Sequence, residues 1–127
     1  MPKIEGACRE VLEAAEFIAI VTQGDGIPHV VGNWGDYLRS VGIRENQIVL
    51  PAGGYRQTEA NLAKDSRVQL LVASTAVSSG RSIGHGHLIT GRGRIEAQGA
   101  LFDAVKEKYP WARGALVIDV LEVKAQL

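Results

Sequence analysis

The stretch Pro51–Leu62, PAGGYRQTEANL, changes character twice within a few residues. It closes an apolar run, Ile48-Val49-Leu50-Pro51, passes through two adjacent glycines, and then opens a polar segment of helical spacing from Arg56 to Lys64. These residue types in this order predict a strand, a tight turn and the first turn of a helix. Gly53 and Gly54 let backbone N–H groups converge on one small target, and a helix N-terminus adds partial positive charge there. A phosphate is the simplest such target. Arg56 would supply a full charge, with Gln57 and Thr58 as neutral donors. Equally, the glycines make an ordinary turn, Arg56 is a solvated charge and Thr58 a helix cap. The pattern is not a Walker sequence, and alone it leaves both readings open.

Working outward, Cys8, Val11, Leu12 and Ala15 fall at helical spacing within residues 5–16 and predict a short amphipathic helix over one end of a sheet. Phe17 to Thr22 is apolar and β-branched, Gly24-Asp25-Gly26 supplies turn chemistry, and Pro28 to Gly32 follows, so a hairpin is expected. Gly32-Asn33-Trp34-Gly35-Asp36-Tyr37 then sets a Trp and a Tyr close together. They either pack at the core rim or form an aromatic wall beside a planar ligand.

Beyond the predicted helix, Val68 to Ala73 reads as a strand and Ser78 to Gly86 as an exposed, mobile loop. Leu88 to Ala97 reads as a long bending strand, with Gly91 and Gly93 at bulge or close-approach positions. A further amphipathic helix over Gly99 to Lys108 ends at Tyr109-Pro110, and Ala115 to Val123 is the last strand. About six strands and three short helices, too irregular for repeated βαβ units, predict one mainly β domain over 1–127. A small antiparallel barrel with helices plugging its ends suits this, because closure removes exposed strand edges. No GxGxxG opens a helix after the first strand, so a Rossmann fold is not expected.

Lys plus Arg and Asp plus Glu are 14 each in 127 residues. That balance gives no electrostatic footprint for nucleic acid or an anionic membrane, so any bound anion must be held locally. The one cysteine, Cys8, gives neither an intramolecular disulfide nor a Cys-based zinc set, and a reducing cytoplasm is the expected compartment. No apolar run reaches the roughly 18 residues of a membrane span, and MPKIEGACRE is too polar for a signal peptide. His85 and His87 have no third ligand nearby, so no metal is expected. The serines lack a GxSxG elbow, and hydrolysis is not expected either. A phosphate cradle together with Trp34, Tyr37 and Trp111 supplies the ingredients for a phosphorylated, planar, aromatic cofactor. FMN fits that description.

Together, IAIVTQG, PHVVGNWGDYL, IVLPAGGYRQTEANLAKDSRV, GHGHLITGRGRIE and WARGALVIDV resemble the FMN-binding split-barrel family related to pyridoxamine 5'-phosphate oxidase, nearly end to end. The most specific parts are Asn33 to Tyr37, Pro51 to Asn61 and Lys108 to Ile118. The resemblance implies a six-stranded antiparallel split β-barrel of Greek-key type with short flanking helices. It also implies a homodimer, with one FMN per subunit between the two chains. On matching positions, Asn33, Arg56, Gln57 and Thr58 would lie at the phosphate and ribityl end, while Pro51, Gly53 and Gly54 present backbone to the ring. Trp34 and Tyr37 would wall the isoalloxazine, and Trp111 and Leu127 would reach it from the partner chain.

Similar proteins commonly carry a Lys where Gln57 stands, so the phosphate would lean on Arg56 and neutral donors. The implied function is an FMN flavoprotein transferring electrons with an unidentified redox partner, with no catalytic residue assigned. The alternatives are a flavin-dependent oxidoreductase, acting on NAD(P)H or a small substrate, and a split barrel holding haem or a deazaflavin.

Overall fold

The computed structural model describes residues 4–80 and 83–127. In chain order the elements are α1 (Gly6–Ala14), β1 (Phe17–Thr22), β2 (His29–Trp34), a 3-10 turn (Gly35–Tyr37) running into α2 (Leu38–Val41), β3 (Gln47–Ala52), α3 (Arg56–Lys64), β4 (Arg67–Ser74), β5 (His85–Glu96), α4 (Ala100–Lys108) and β6 (Gly114–Gln126). The strands form one curled sheet in the order β2-β1-β4-β5-β6-β3, with every pairing antiparallel. This is the expected split barrel.

Two kinds of strand follow from two kinds of sequence. β1 and β4 alternate, turning Ile18, Ile20, Val68, Leu70 and Val72 into the barrel and every second residue outward. β3 and β6 instead carry nearly unbroken apolar runs, because the sheet is covered on both faces there. Ile48, Leu50, Leu116 and Ile118 join the barrel core, while Val49, Ala115 and Val117 pack under α4 with Val105 and Ala112.

The plug at one barrel end is α1, which buries Cys8, Val11 and Leu12. Its C-terminal carbonyls are satisfied from outside the helix. Arg39 donates to the carbonyls of Glu13 at 2.8 Å and Ala15 at 3.0 Å and also pairs with Asp36, placing a cation at the negative end of the helix dipole. Burial pushes the Cys8 thiol up to about 11, in keeping with an apolar packing role. No helix among the described residues is long and apolar enough to cross a membrane.

Three expectations change. The short helix α2 is absent from the sequence reading, because a single turn offers too few residues to show a period. β5 begins at His85, so the expected loop over Ser78 to Gly86 gives up its last two residues to the strand, and its positions 81 and 82 lie outside the described residues. The barrel also does not close: among the described residues no ladder joins β2 to β3, and both remain edges. Pro51 is tolerated on such an edge, where a missing N–H breaks no inner ladder.

The expected bulge is present. Pairing of β5 with β6 shifts register between Thr90 and Gly91, and a Cβ on Gly91 would lie 2.3 Å from the Asp119 carbonyl oxygen. Gly91→Ala should therefore destabilise the fold by about 1–3 kcal/mol, read as a lower urea midpoint. An unchanged midpoint would show that the bulge relaxes freely.

Candidate functional site

The open seam of the barrel brings the end of β2, the end of β3 and the start of α3 around one cleft of about 260 Å³. It is lined by Gly32, Asn33, Trp34, Tyr37, Pro51, Gly53, Gly54, Tyr55 and Trp111. Seven of the residues singled out from sequence are therefore neighbours: Asn33, Trp34, Tyr37, Pro51, Gly53, Gly54 and Trp111.

Trp111, which the resemblance implied would reach the ring from the partner chain, lines this chain's own cleft. Pairing of Ala52 with Gly114 draws the turn before β6 alongside Gly53, and a Cβ on Gly53 would lie 3.0 Å from the Trp111 ring. The indole packs edgewise on Tyr37 at 5.6 Å and at a tilt on Tyr109 at 5.7 Å between centroids. Trp34 stands edge-to-face with Phe17 at 5.8 Å. Both indoles stay about half exposed, at 58% for Trp34 and 52% for Trp111. Large flat apolar groups left in this state offer stacking surface to a planar molecule.

The polar end of the site is the start of α3. Neither Gly53 nor Gly54 has a positive φ; the left-handed residue is Tyr55, at φ 61° and ψ 30°. A left-handed residue followed by a right-handed one turns successive N–H groups inward as an anion-binding nest. Here those groups belong to Tyr55, Arg56 and Gln57, and no side chain caps the helix. The first N–H groups of a helix also lack intrahelical acceptors.

Thr58 is a residue of the first helical turn and not its N-cap, and its buried hydroxyl has no hydrogen-bond partner. A hydroxyl left in that state costs roughly 1–3 kcal/mol. This orphan beside convergent N–H donors fits a phosphate monoester.

Arg56 is exposed and carries no side-chain hydrogen bond or ion pair among the described residues. Gln57 departs from its expected place: its side chain donates to Asn61 Oδ1 at 2.8 Å, one helical turn on, and Asn61 donates to Thr22 Oγ1 at 3.1 Å. Gln57 thus faces a second groove beside the β1–β2 turn, lined also by Asp25, Ile27 and His29. Leu127 lies outside this chain's cleft, in a groove with Ile83 and His85, and His85 Nδ1 is 3.2 Å from its carbonyl oxygen. His85 and His87 meet edge-to-face at 4.5 Å, and burial, then His85, holds the His87 imidazole below its usual range. Among the described residues no group of three or more His, Cys, Asp or Glu could hold a metal ion.

Residues 4–127 match the family model for pyridoxamine 5'-phosphate oxidase. The chain belongs to the pyridoxamine 5'-phosphate oxidase family. Within it, the chain is 39% identical to the FMN-binding protein of Nitratidesulfovibrio vulgaris (strain DSM 19637 / Miyazaki F) over 98% of this chain and 99% of that one. Solved structures share the fold at lower identity. HupZ of Group A Streptococcus superposes with a TM-score of 0.70 at 17% identity, covering 92% of this chain and 91% of that chain. An FMN-binding protein from Syntrophomonas wolfei superposes with a TM-score of 0.64 at 15% identity, covering 94% of this chain and 83% of that chain.

Against this oxidase-family framework, the sequence reading missed Tyr55 and Gly32. Tyr55 directs its hydroxyl to the Gly32 carbonyl at 3.4 Å, tying the β2 edge to the start of α3 across the seam. Burial pushes its phenol up to about 12, with the Asn33 side chain acting against that and Tyr37 adding to it. The phenol is therefore neutral at physiological pH.

The orphaned hydroxyl makes a specific test. Thr58→Val should weaken FMN by about 1.5–3 kcal/mol, the worth of one hydrogen bond to a charged group, and leave riboflavin nearly unaffected in a fluorescence titration. Equal affinities for FMN before and after the change would move the phosphate elsewhere.

Proposed function

We propose that this member of the pyridoxamine 5'-phosphate oxidase family is an FMN-binding flavoprotein that transfers electrons, working as a homodimer with one FMN per subunit. The observation that carries the reading is the meeting, in one cleft, of two half-exposed indoles with the left-handed Tyr55, whose N–H opens the nest at the start of α3, followed in the first helical turn by the unpartnered Thr58 hydroxyl. The relative described as an FMN-binding protein supports it across nearly the whole chain.

Trp34 and Trp111 would hold the ring, and the nest and Thr58 would hold the phosphate. Arg56 would add a mobile positive charge at that end. FMN, when bound, supplies the electron-transfer chemistry, and the protein tunes it. Apolar walls and a neutral Tyr55 disfavour added negative charge near the ring.

The dimer is supported by the outer face of β1, β2 and β4. Phe17, Trp34 and Leu71 are 52%, 58% and 43% exposed there, and the register sets Phe17 opposite Trp34 and Ala19 opposite both Gly32 and Leu71. That continuous apolar surface runs up to the cleft, and a second copy of the chain would cover it. Leu127 would then approach the partner's cofactor.

The purified protein should turn yellow on addition of FMN, and a protein that stays colourless in excess FMN would overturn the assignment. Trp34→Ala should weaken FMN and riboflavin alike by roughly 1 kcal/mol, and a loss confined to FMN would contradict the placement of the ring. Bound FMN should show a midpoint potential below that of the free cofactor in a spectroelectrochemical titration. A value at or above it would count against the apolar-wall account.

A further inference from the structure

Arg113 lies behind the cleft, outside its lining, and reaches across the turn that forms the nest. Its Nε and Nη2 both donate to the Gly54 carbonyl, at 3.0 and 2.6 Å, and its Nη1 pairs with Glu59 Oε1 at 3.0 Å. Its backbone N–H donates to the Ala52 carbonyl at 2.9 Å. One residue thus grips the chain before the left-handed turn at Ala52 and Gly54 and after it at Glu59. The Arg113 side chain is 23% exposed and its Glu59 partner 44%, so the fork is held by geometry, three bonds from one rigid guanidinium, rather than by exclusion of water.

The consequence follows from peptide geometry. All described peptide bonds are trans, and in a trans peptide the C=O and the next N–H point in opposite directions. Holding the Gly54 carbonyl toward Arg113 therefore turns the Tyr55 N–H away from Arg113. That N–H is the first donor of the nest. The same guanidinium neutralises Glu59, a carboxylate in the opening stretch of α3 that would otherwise repel an anion there.

We propose that Arg113 is the positioning residue of the nest: its fork on Gly54 and its ion pair with Glu59 make the site select a phosphorylated flavin over an unphosphorylated one. The proposal rests on the FMN reading above for its ligand, but the nest and its latch can be probed with inorganic phosphate alone.

The test compares wild type, Arg113→Ala, Arg113→Lys and the Arg113→Ala/Glu59→Gln double variant in FMN and riboflavin titrations. Inorganic phosphate is titrated in parallel against the backbone amide resonances of residues 55–57. Arg113→Ala should weaken FMN by roughly tenfold to a hundredfold, the worth of one or two charge-assisted contacts, with riboflavin changed by no more than about twofold. Arg113→Lys keeps the charge but not the fork and should lose part of the FMN preference. If the alanine variant does not fold, the lysine variant carries the test. Removing the Glu59 charge in the double variant should restore part of the loss.

Equal weakening of both flavins, or of neither, by Arg113→Ala and Arg113→Lys would overturn the latch while leaving the FMN reading intact. Wild type that shows phosphate-induced amide shifts, lost in Arg113→Ala, but takes up neither flavin would keep the latch and overturn the FMN reading.

Discussion

Among the described residues no ladder joins the outer edges of β2 and β3, and β3 meets only the short bridge of Ile43 with Ile48 there, so two edges in so small a barrel must be managed by something other than a ladder. The chain manages them with bulk and with loops. Pro51 lies on one edge and cannot donate. Trp34 ends the other, and the 3-10 turn after it is anchored by the Gly35 N–H on the Glu16 carbonyl at 2.9 Å. The Tyr55 hydroxyl then spans the gap. What results is a seam too irregular to recruit another strand but lined with flat side chains, and the candidate site occupies it. The fold and the site are thus consequences of one incomplete closure.

The same economy appears at the nest. A non-glycine residue in the left-handed region is uncommon and strained, and Tyr55 holds that conformation with Arg113 on one flank and the β2 carbonyl on its hydroxyl. Strain at this point is sustained by long-range contacts rather than by local chain preference. That suits a binding surface, because the donors are already oriented before any anion arrives, and less ordering entropy remains to be lost on binding.

Much of this could be read from residue types. Phe17 to Thr22, Ile48 to Leu50, Val68 to Ala73 and Ala115 to Val123 were legible as strands from their apolar and β-branched residues, but which are covered on one face and which on both was not, because that depends on where α4 packs. The helix from Arg56 to Lys64 was legible because turn residues preceded a polar periodic segment. Other features were hidden for physical reasons. The left-handed conformation fell on Tyr55 although two glycines stand beside it, since tertiary contacts overrode the local preference. The position of Trp111 depended on the pairing of β3 with β6, which joins segments far apart in sequence. The bond from Gln57 to Asn61, one turn on along the same helical face, was not legible either, because several polar residues of that segment could have partnered it.

The lone sulfur of the chain carries a last implication. Cys8 is sealed under the barrel end with its ionisation pushed up to about 11, so at neutral pH it is almost wholly in the thiol form, which is a poor nucleophile toward peroxides. Reduced flavins exposed to air generate such oxidants. A protein built around one would keep its single oxidisable thiol inert and withdrawn, and its redox chemistry would remain with the cofactor rather than passing to the polypeptide.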